Sequence, residues 1–485
     1  MLIENYKERI SAMKVFYTAT LSNAAKAIAN GLLGTAIVIE PDTDRFIGVL
    51  TDGDIRRALL DKYDGDTLIS KLVCDDAVVG RVDMAAEEIS NLFTSAVRVI
   101  PILDDKDKVI DLAVFDKRMY LPIAEPYFDE SEVRNVNECI SSGWVSSSGK
   151  FITQFEKVFA DFLGTKHAVS CSNGTSALHL ALKAFEIGHG DEVIVPALTF
   201  IATASAVSHA GAKPVFVDSE VNYFNMDPNL IEGSITNKTK AIIPVHLYGH
   251  PADMDPILEM ARKHKLIVIE DAAEAHGALY KGKKVGSLGH AGTFSFYGNK
   301  VITTGEGGII ALNDEKILNK IKLLRDHGMD RSRGYWHPIL GFNYRMTNLQ
   351  AALGVAQMEK IDKIIHKKIV LAKNYSNQLK NIPGVTIPKE AKWAKHIFWL
   401  YTILIDENIL GIERDVLIKK LKGNKIDARP TFIPMHQQPI FENDQKLPVA
   451  EMISQRGLSL PSYVNIKEED QSRICETIRT IILSK

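Results

Sequence analysis

Apolar and polar positions in the first 120 residues follow one plan twice. In the first copy a polar-capped helix, TLSNAAKAIANGL, runs into the apolar strand GTAIVIE. A turn at PDTDR, the strand FIGVL and a new helix opening at TDGDIRRALL follow. Turn residues between short apolar runs favour strand pairing, and Thr51 or Asp52 can cap the following helix. In the second copy MAAEEISNLFTS is the helix, AVRVIPIL the strand and DDKDK the turn, and VIDLAV continues into FDKRM. The spacing is about 60 residues, with no third copy. LPIAEPYFDE, with two prolines and little periodicity, reads as a linker into a second body.

Beyond about residue 150 the texture changes to apolar strands alternating with amphipathic helices. HAVSCS, EVIVPA, KPVFVD, KAIIPVH, LIVIED, GTFSFY and GGIIAL are the strands, and ALHLALKAFE and DPILEMARKHK are among the helices. This alternation predicts an α/β body: a mostly parallel sheet with helices on both faces and a site built by loops at the strand C-termini. After about residue 375 strand and helix mix, as in a smaller α+β lobe. The domains expected are therefore 1–120, 121–375 and 376–485.

A chain of 485 residues has room for such a plan, and 46% apolar with 24% charged residues excludes whole-chain disorder. The 58 Lys+Arg against 60 Asp+Glu leave a net charge of −2, which gives no bulk attraction to nucleic acid or an anionic membrane. Cys74, Cys139, Cys171 and Cys475 lie far apart without a CxxC pair. That excludes a disulfide framework and a structural zinc site, and fits a reducing compartment. The N-terminus lacks an apolar signal core, and the uncharged stretch Val193 to Ala212 is broken by Pro196, Ser205, Ser208 and His209. The expectation is a soluble, cytoplasmic protein.

Three segments carry candidate chemistry. In FSFYGNKVITTGEGG, Lys300 sits in a Gly-bounded stretch between two apolar strands, where a lysine must pair, lose its charge or become an imine unless it is simply solvated. In SCSNGTSALHLAL a strand ends at Asn173-Gly174-Thr175 and a helix begins; free N–H groups, the dipole and a small residue suit an anion, though a plain helix cap reads the same way. In LIVIEDAAEAHGA, Asp271 ends an apolar strand 29 positions before Lys300, either capping the next helix or facing a ligand. Together they meet the needs of pyridoxal 5′-phosphate: an amine for its aldehyde, a helix terminus for its phosphate, and a carboxylate to keep its ring nitrogen protonated. Phe200, in VPALTFIATASA, is placed to lie on the ring.

Residues from about 121 to 485 resemble sugar-nucleotide aminotransferases of the DegT/DnrJ type, and within them the GDP-perosamine synthases. GWVSSSGKFI, SNGTSALHLAL, DEVIVPALTFIATA, PVHLYGH, IEDAAEAHGA, FSFYGNKVITTGEGG, RGYWHPILGFNYRMTNLQAALG and ARPTFIPMH carry the likeness. The resemblance implies a fold-type-I aminotransferase, a homodimer or larger homo-oligomer with sites at the subunit interface, and L-glutamate as amino donor. It makes Lys300 the Schiff-base lysine and Asp271 the partner of the pyridine nitrogen. Gly174, Thr175 and Ser295 hold the phosphate, Phe200 stacks on the ring, and Glu274 lies near the ring hydroxyl. Asn343 reaches the phosphate from the neighbouring subunit. Trp336 and His337 line the nucleotide-sugar pocket, and His436 lies near the sugar. For Trp399, Phe432 and His436, core or interface packing is the alternative. The implied substrate is GDP-4-keto-6-deoxymannose, with a UDP-linked 4-keto sugar as runner-up.

Relatives that dehydrate sugars carry histidine in place of this lysine, so Lys300 favours transamination. A ligand-binding regulatory protein on the same fold has no use for an imine-forming lysine. The N-terminal extension resembles a pair of CBS modules: in FIGVLTDGDIRRALL, Thr51 and Asp54 match the pair that contacts an adenine nucleotide's ribose. Val114 and Lys117 stand at the matching places of the second copy, which implies at most one nucleotide site. A dimerising or docking module without ligand is the alternative.

Overall fold

The computed structural model describes residues 6–31, 33–73, 77–85, 88–89, 92–94, 97–114 and 120–483. Its backbone divides into two units, Met1–Tyr120 and Leu121–Lys485.

In the first unit the repeated pattern becomes two similar three-stranded sheets. Lys14–Phe16 runs parallel to Thr35–Ile39, which pairs antiparallel with Phe46–Thr51. Gly80–Arg81, Val99–Leu103 and Val109–Val114 repeat that order and sense. Even the irregularity recurs, since the register shifts between Val38 and Ile39 and again between Ile102 and Leu103. Ile37 and Ile39 share a buried cluster with Leu103, Val109 and Leu112, so the copies fold against each other. Of the two possible caps, Thr51 is the one used: its hydroxyl accepts from the Asp54 N–H at the start of the helix Asp52–Leu60. The second-copy helix MAAEEISNLFTS lies partly outside the described residues, and Cys74 and Lys117 lie outside them altogether.

The seven expected strands of the second unit form one sheet. Its order is His167–Cys171, Gly308–Leu312, Ala291–Ser295, Ile267–Asp271, Thr239–Ile242, Glu192–Pro196, Lys213–Val217. Gly308–Leu312 is antiparallel to both of its neighbours, and the other adjacent pairs are parallel. Val193, Ile194 and Val195 are all fully buried, because helices cover both faces and leave no solvent side for alternation to mark. Along the chain the helix Gly174–Ala184 follows the strand His167–Cys171, Ala202–Ala210 follows Glu192–Pro196 and Met254–His264 follows Thr239–Ile242.

A four-stranded sheet, Val385–Thr386, Tyr401–Ile405, Gly457–Leu460 and Arg429–Pro430, makes the smaller lobe. The helix Ile361–Leu379 passes through residue 375, sending Ile364 and Ile365 into the main core and Leu371, Ala372 and Tyr375 into the smaller one. The change of lobe therefore happens inside a helix. LPIAEPYFDE is likewise no free linker. Leu121 and Ile123 are buried, Leu121 exchanges backbone hydrogen bonds with Lys425 and Asp427, and Ser462 donates to the Ile123 carbonyl. Two prolines hid what these apolar residues do, which is to fasten the segment to the smaller lobe. Among the described residues, no helix is long and apolar enough to cross a membrane.

Lys368, on the same long helix, is buried and donates to the Ser462 carbonyl at 2.6 Å. Burial pushes its amine down to about 7. An unfolded lysine stays protonated to about pH 10.4, so the folded state carries the full cost of a buried charge below pH 7. That cost fades as pH rises from 7 towards the unfolded value. Lys368→Met is therefore expected to stabilise the chain by about 2–4 kcal/mol near pH 6.5, and by progressively less towards pH 10. Denaturant titrations across that range would show a flat or rising gain if the reasoning were wrong.

Candidate active site

The site stands at the C-terminal ends of the parallel strands, where loops leave the sheet and backbone groups lack ladder partners. Asp271 is the last residue of Ile267–Asp271 and is buried. Its carboxylate accepts from the Thr203 hydroxyl at 2.8 Å and the Ala273 N–H at 3.2 Å, and Thr203 is within 3.1 Å of the Thr199 hydroxyl. Burial pushes the Asp271 carboxyl up, while the Thr203 bond and the nearby Lys300 hold it down.

Lys300 has a side chain only 12% exposed, with Nζ 3.7 Å from Glu274 Oε1 and 4.0 Å from the centre of the Trp399 ring. Burial lowers its amine, opposed first by Glu274 and then by Asp271. Glu274, also buried, accepts from the Tyr248 N–H at 2.8 Å; burial pushes its carboxyl up to about 7 against the pull of Lys300. The pair is thus driven towards neutrality from both sides. An amine freed of its proton is a nucleophile and a base, and burial here makes that proton easier to remove than in water.

Asn173 caps the helix Gly174–Ala184 by accepting from the Ser176 N–H at 2.8 Å. Gly174 lies against the end of the strand Ala291–Ser295. A Cβ there would come within 2.8 Å of Ser295 Cβ, so only glycine lets the helix start this close to the Ser295 hydroxyl. Free N–H groups, Thr175 and Ser295 make a cradle suited to a phosphate. With an amine and a buried acid nearby, the donor set fits pyridoxal phosphate.

Phe200 is 54% exposed and packs against Phe432 at 5.8 Å between ring centres. Phe432 stacks on Tyr248 at 5.5 Å, and Tyr248 stacks on Trp399 at 6.2 Å, so one ladder of rings runs from Phe200 to Lys300. Lys300 thus touches Glu274, the rings join it to Phe200, and Thr203 joins Asp271 to Phe200 by donating its hydroxyl to the one and its N–H to the other's carbonyl; Gly174 is in contact with Ser295. The contacts of Asn343, Trp336, His337 and His436 are with other residues. Asn343 is exposed and accepts from Arg345 at 2.9 Å. Trp336 and His337 sit in the exposed stretch 331–340, where His337 Nδ1 is 3.0 Å from the His327 carbonyl oxygen. His436 is buried with Nε2 3.0 Å from Glu451.

Sequence reasoning missed Thr203, Tyr248 and the buried pair His246–Glu270. His246 Nε2 is 3.0 Å from Glu270, whose carboxylate also accepts from Gly286, Leu288 and Gly289 at 2.7 Å. The His246 N–H in turn donates to the Asp271 carbonyl. The signals were present in PVHLYGH and in the paired acids of VIED, but pairing across strands cannot be read from spacing.

Residues 126–479 match the DegT/DnrJ/EryC1/StrS aminotransferase family. The chain belongs to that family. Its cofactor is pyridoxal phosphate. Residues 10–61 match the CBS domain. The chain is 50% identical to the GDP-perosamine synthase of Caulobacter vibrioides over 75% of its own length and 98% of the relative. It is 45% identical to that of Escherichia coli O157:H7, over 76% and 100%. Among solved structures, the aminotransferase PseC of Helicobacter pylori, involved in the biosynthesis of pseudoaminic acid, superposes with a TM-score of 0.72 at 29% identity, covering 76% of this chain and 100% of that one. DesV of S. venezuelae superposes at 0.70 with 33% identity, over 75% and 99%.

The Gly174 contact gives a direct test of the cradle. Gly174→Ala is expected to weaken retention of pyridoxal phosphate about tenfold or more, because a fixed helix terminus must move off Ser295. Gly423→Ala, where a Cβ meets nothing within 4 Å, is the control and should leave cofactor binding unchanged. Absorbance titration of the cofactor-free protein measures both.

Proposed function

We propose that the second unit transfers an amino group from L-glutamate to the C4 carbonyl of GDP-4-keto-6-deoxymannose, giving GDP-perosamine. The observation that carries transamination is the amine of Lys300, held 3.7 Å from Glu274 at 12% exposure beside the buried Asp271. Support for the nucleotide sugar comes from relatives named GDP-perosamine synthase at 50%, 45% and 42% identity, each covered over at least 98% of its length.

When bound, pyridoxal phosphate supplies an aldehyde that amines can join and a ring that takes up the electrons of a broken C–H bond. Lys300 Nζ would hold the cofactor at rest and, when free, would move one proton off the donor's α-carbon and one onto C4 of the sugar. Asp271, anchored by Thr203, would keep a proton on the pyridine nitrogen. Gly174, Thr175 and Ser295 would hold the phosphate, Phe200 would cover the ring, and Glu274 would stand by the ring hydroxyl. His436 lies near the sugar.

Asn343 acts from a neighbouring subunit of a homodimer, and Trp336 and His337 line the nucleotide-sugar pocket. Tyr335 and Leu340, each 92% exposed beside them, give that segment an apolar surface suited to burial by a second copy. The buried free thiols Cys139, Cys171 and Cys475 suit the cytoplasm.

Purified protein loaded with cofactor should show a band at about 400–430 nm that shifts with glutamate. It should then aminate GDP-4-keto-6-deoxymannose faster than a UDP-linked 4-keto sugar; the reverse preference sinks the substrate assignment. Lys300→Ala should lose at least about a thousandfold in turnover, and a variant that still cycles repeatedly would end the role given to this lysine.

The first unit binds an adenine nucleotide weakly through Thr51 and Asp54. Asp54 accepts from both the N–H and the hydroxyl of Thr51 at 2.7 Å and meets Arg57, so the pair is preset in one geometry. Calorimetry with AMP, ADP and ATP should give a dissociation constant that rises about tenfold or more in Asp54→Ala. No heat with any of the three leaves a docking module.

A further inference from the structure

Around the Lys300 amine the contacts close into a ring. Nζ lies 4.0 Å from the centre of the Trp399 indole and 3.7 Å from Glu274. Trp399 Nε1 donates to the carbonyl of Asn299, the residue before Lys300, at 2.7 Å. The Trp399 N–H donates to the Tyr248 carbonyl at 2.9 Å, and the Tyr248 N–H donates to Glu274 at 2.8 Å, which returns to the amine.

Each link is rigid. The Tyr248 ring lies nearly parallel to the indole at 12° and to the Phe432 ring at 13°. Tyr248 holds φ at 53°, a left-handed conformation that a bulky residue adopts only when its surroundings fix it. The next residue, Gly249, has φ 97°, and a Cβ there would approach the Trp399 backbone nitrogen to 2.9 Å. Strain at 248 and the missing side chain at 249 both serve to seat this loop on Trp399. Trp399 and Tyr248 are buried, and the indole is held by the Tyr248 ring and by its N–H on the Asn299 carbonyl.

An indole face attracts an ammonium, and most strongly where water is excluded. Here that face is held beside the one amine the proposed chemistry must release and recapture. We propose that Trp399, backed by Tyr248, is the resting surface of the Lys300 amine whenever it is not bonded to the cofactor. It keeps the amine charged and close, so that handing one proton to Glu274 or to the substrate readies it for the next step. This rests on the reading of Lys300 as the cofactor lysine. The titratable groups acting on the amine are Asp271, Glu274 and His276, the last held neutral by burial, which pushes its imidazole down to about 3, and Glu125, Lys368 and Tyr463 line the same cavity as Lys300 and Trp399.

The test uses the full-length chain in its pyridoxamine phosphate form, where Lys300 carries a free amine. The four tryptophans, replaced by 5-fluorotryptophan, are followed by fluorine NMR across pH. The signal absent from Trp399→Phe should move with pH and should stop moving in Lys300→Met. A Trp399 signal that is flat in the native chain, or that still titrates in Lys300→Met, overturns the proposal.

Acetylation of Lys300 in the cofactor-free chain, read by mass spectrometry, gives a second measure. Its pH midpoint should fall by about one unit in Trp399→Leu and stay within a few tenths in Trp399→Phe, which keeps an aromatic face. An unchanged or raised midpoint in the leucine variant counts against the idea. Because the native chain carries the NMR readout, misfolding of that variant does not remove the test. If Lys300 is not the cofactor lysine, that shows separately, as no band near about 400–430 nm on adding pyridoxal phosphate.

Discussion

The second unit is organised around the cost of keeping an amine and two carboxylates out of water at one edge of a sheet. Ions so placed must be paired, hydrogen-bonded or neutralised. Asp271 is steadied by a hydroxyl and a backbone N–H, Glu274 by a backbone N–H, and Lys300 by Glu274 and an indole face. None of these partners fully compensates its charge. The residual mismatch moves the amine down and the acids up, which brings their proton affinities closer together than in water.

The scaffold makes this arrangement affordable by placing it where backbone groups are already free. Parallel strands end together at one edge, and helices begin there with unpaired N–H groups. Glycine is decisive at two positions on that edge. Gly174 lets a helix terminus meet Ser295, and Gly249 lets the Tyr248 loop close over Trp399. Behind the edge, Glu270 collects three backbone N–H groups and His246, fixing the strand that carries Asp271.

Much of this could be read from the chain. The seven strands appeared as mostly apolar runs because both faces of the sheet are largely covered, and Gly174, Asp271 and Lys300 stood at the junctions where apolar runs give way to small or polar residues. The likeness to a known family then joined them into one site. Leu121 and Ile123 were harder, since their prolines masked buried residues whose partners lie some 300 positions further on. Trp399 could be read as ordinary packing, because a single tryptophan in an apolar stretch does not declare what lies against its face.

Local sequence determined which residues are apolar, where helices start, and which chemical groups stand at the strand ends, because propensity, capping and periodicity act over a few neighbouring positions. It also determined that the first unit is built from two like halves. Tertiary structure alone decided that Lys300 lies against Trp399 and Glu274 and that Thr203 serves Asp271. Those are contacts between positions far apart in sequence, set by how the sheet stacks its strands and how the smaller lobe closes over their ends, and no local pattern encodes them.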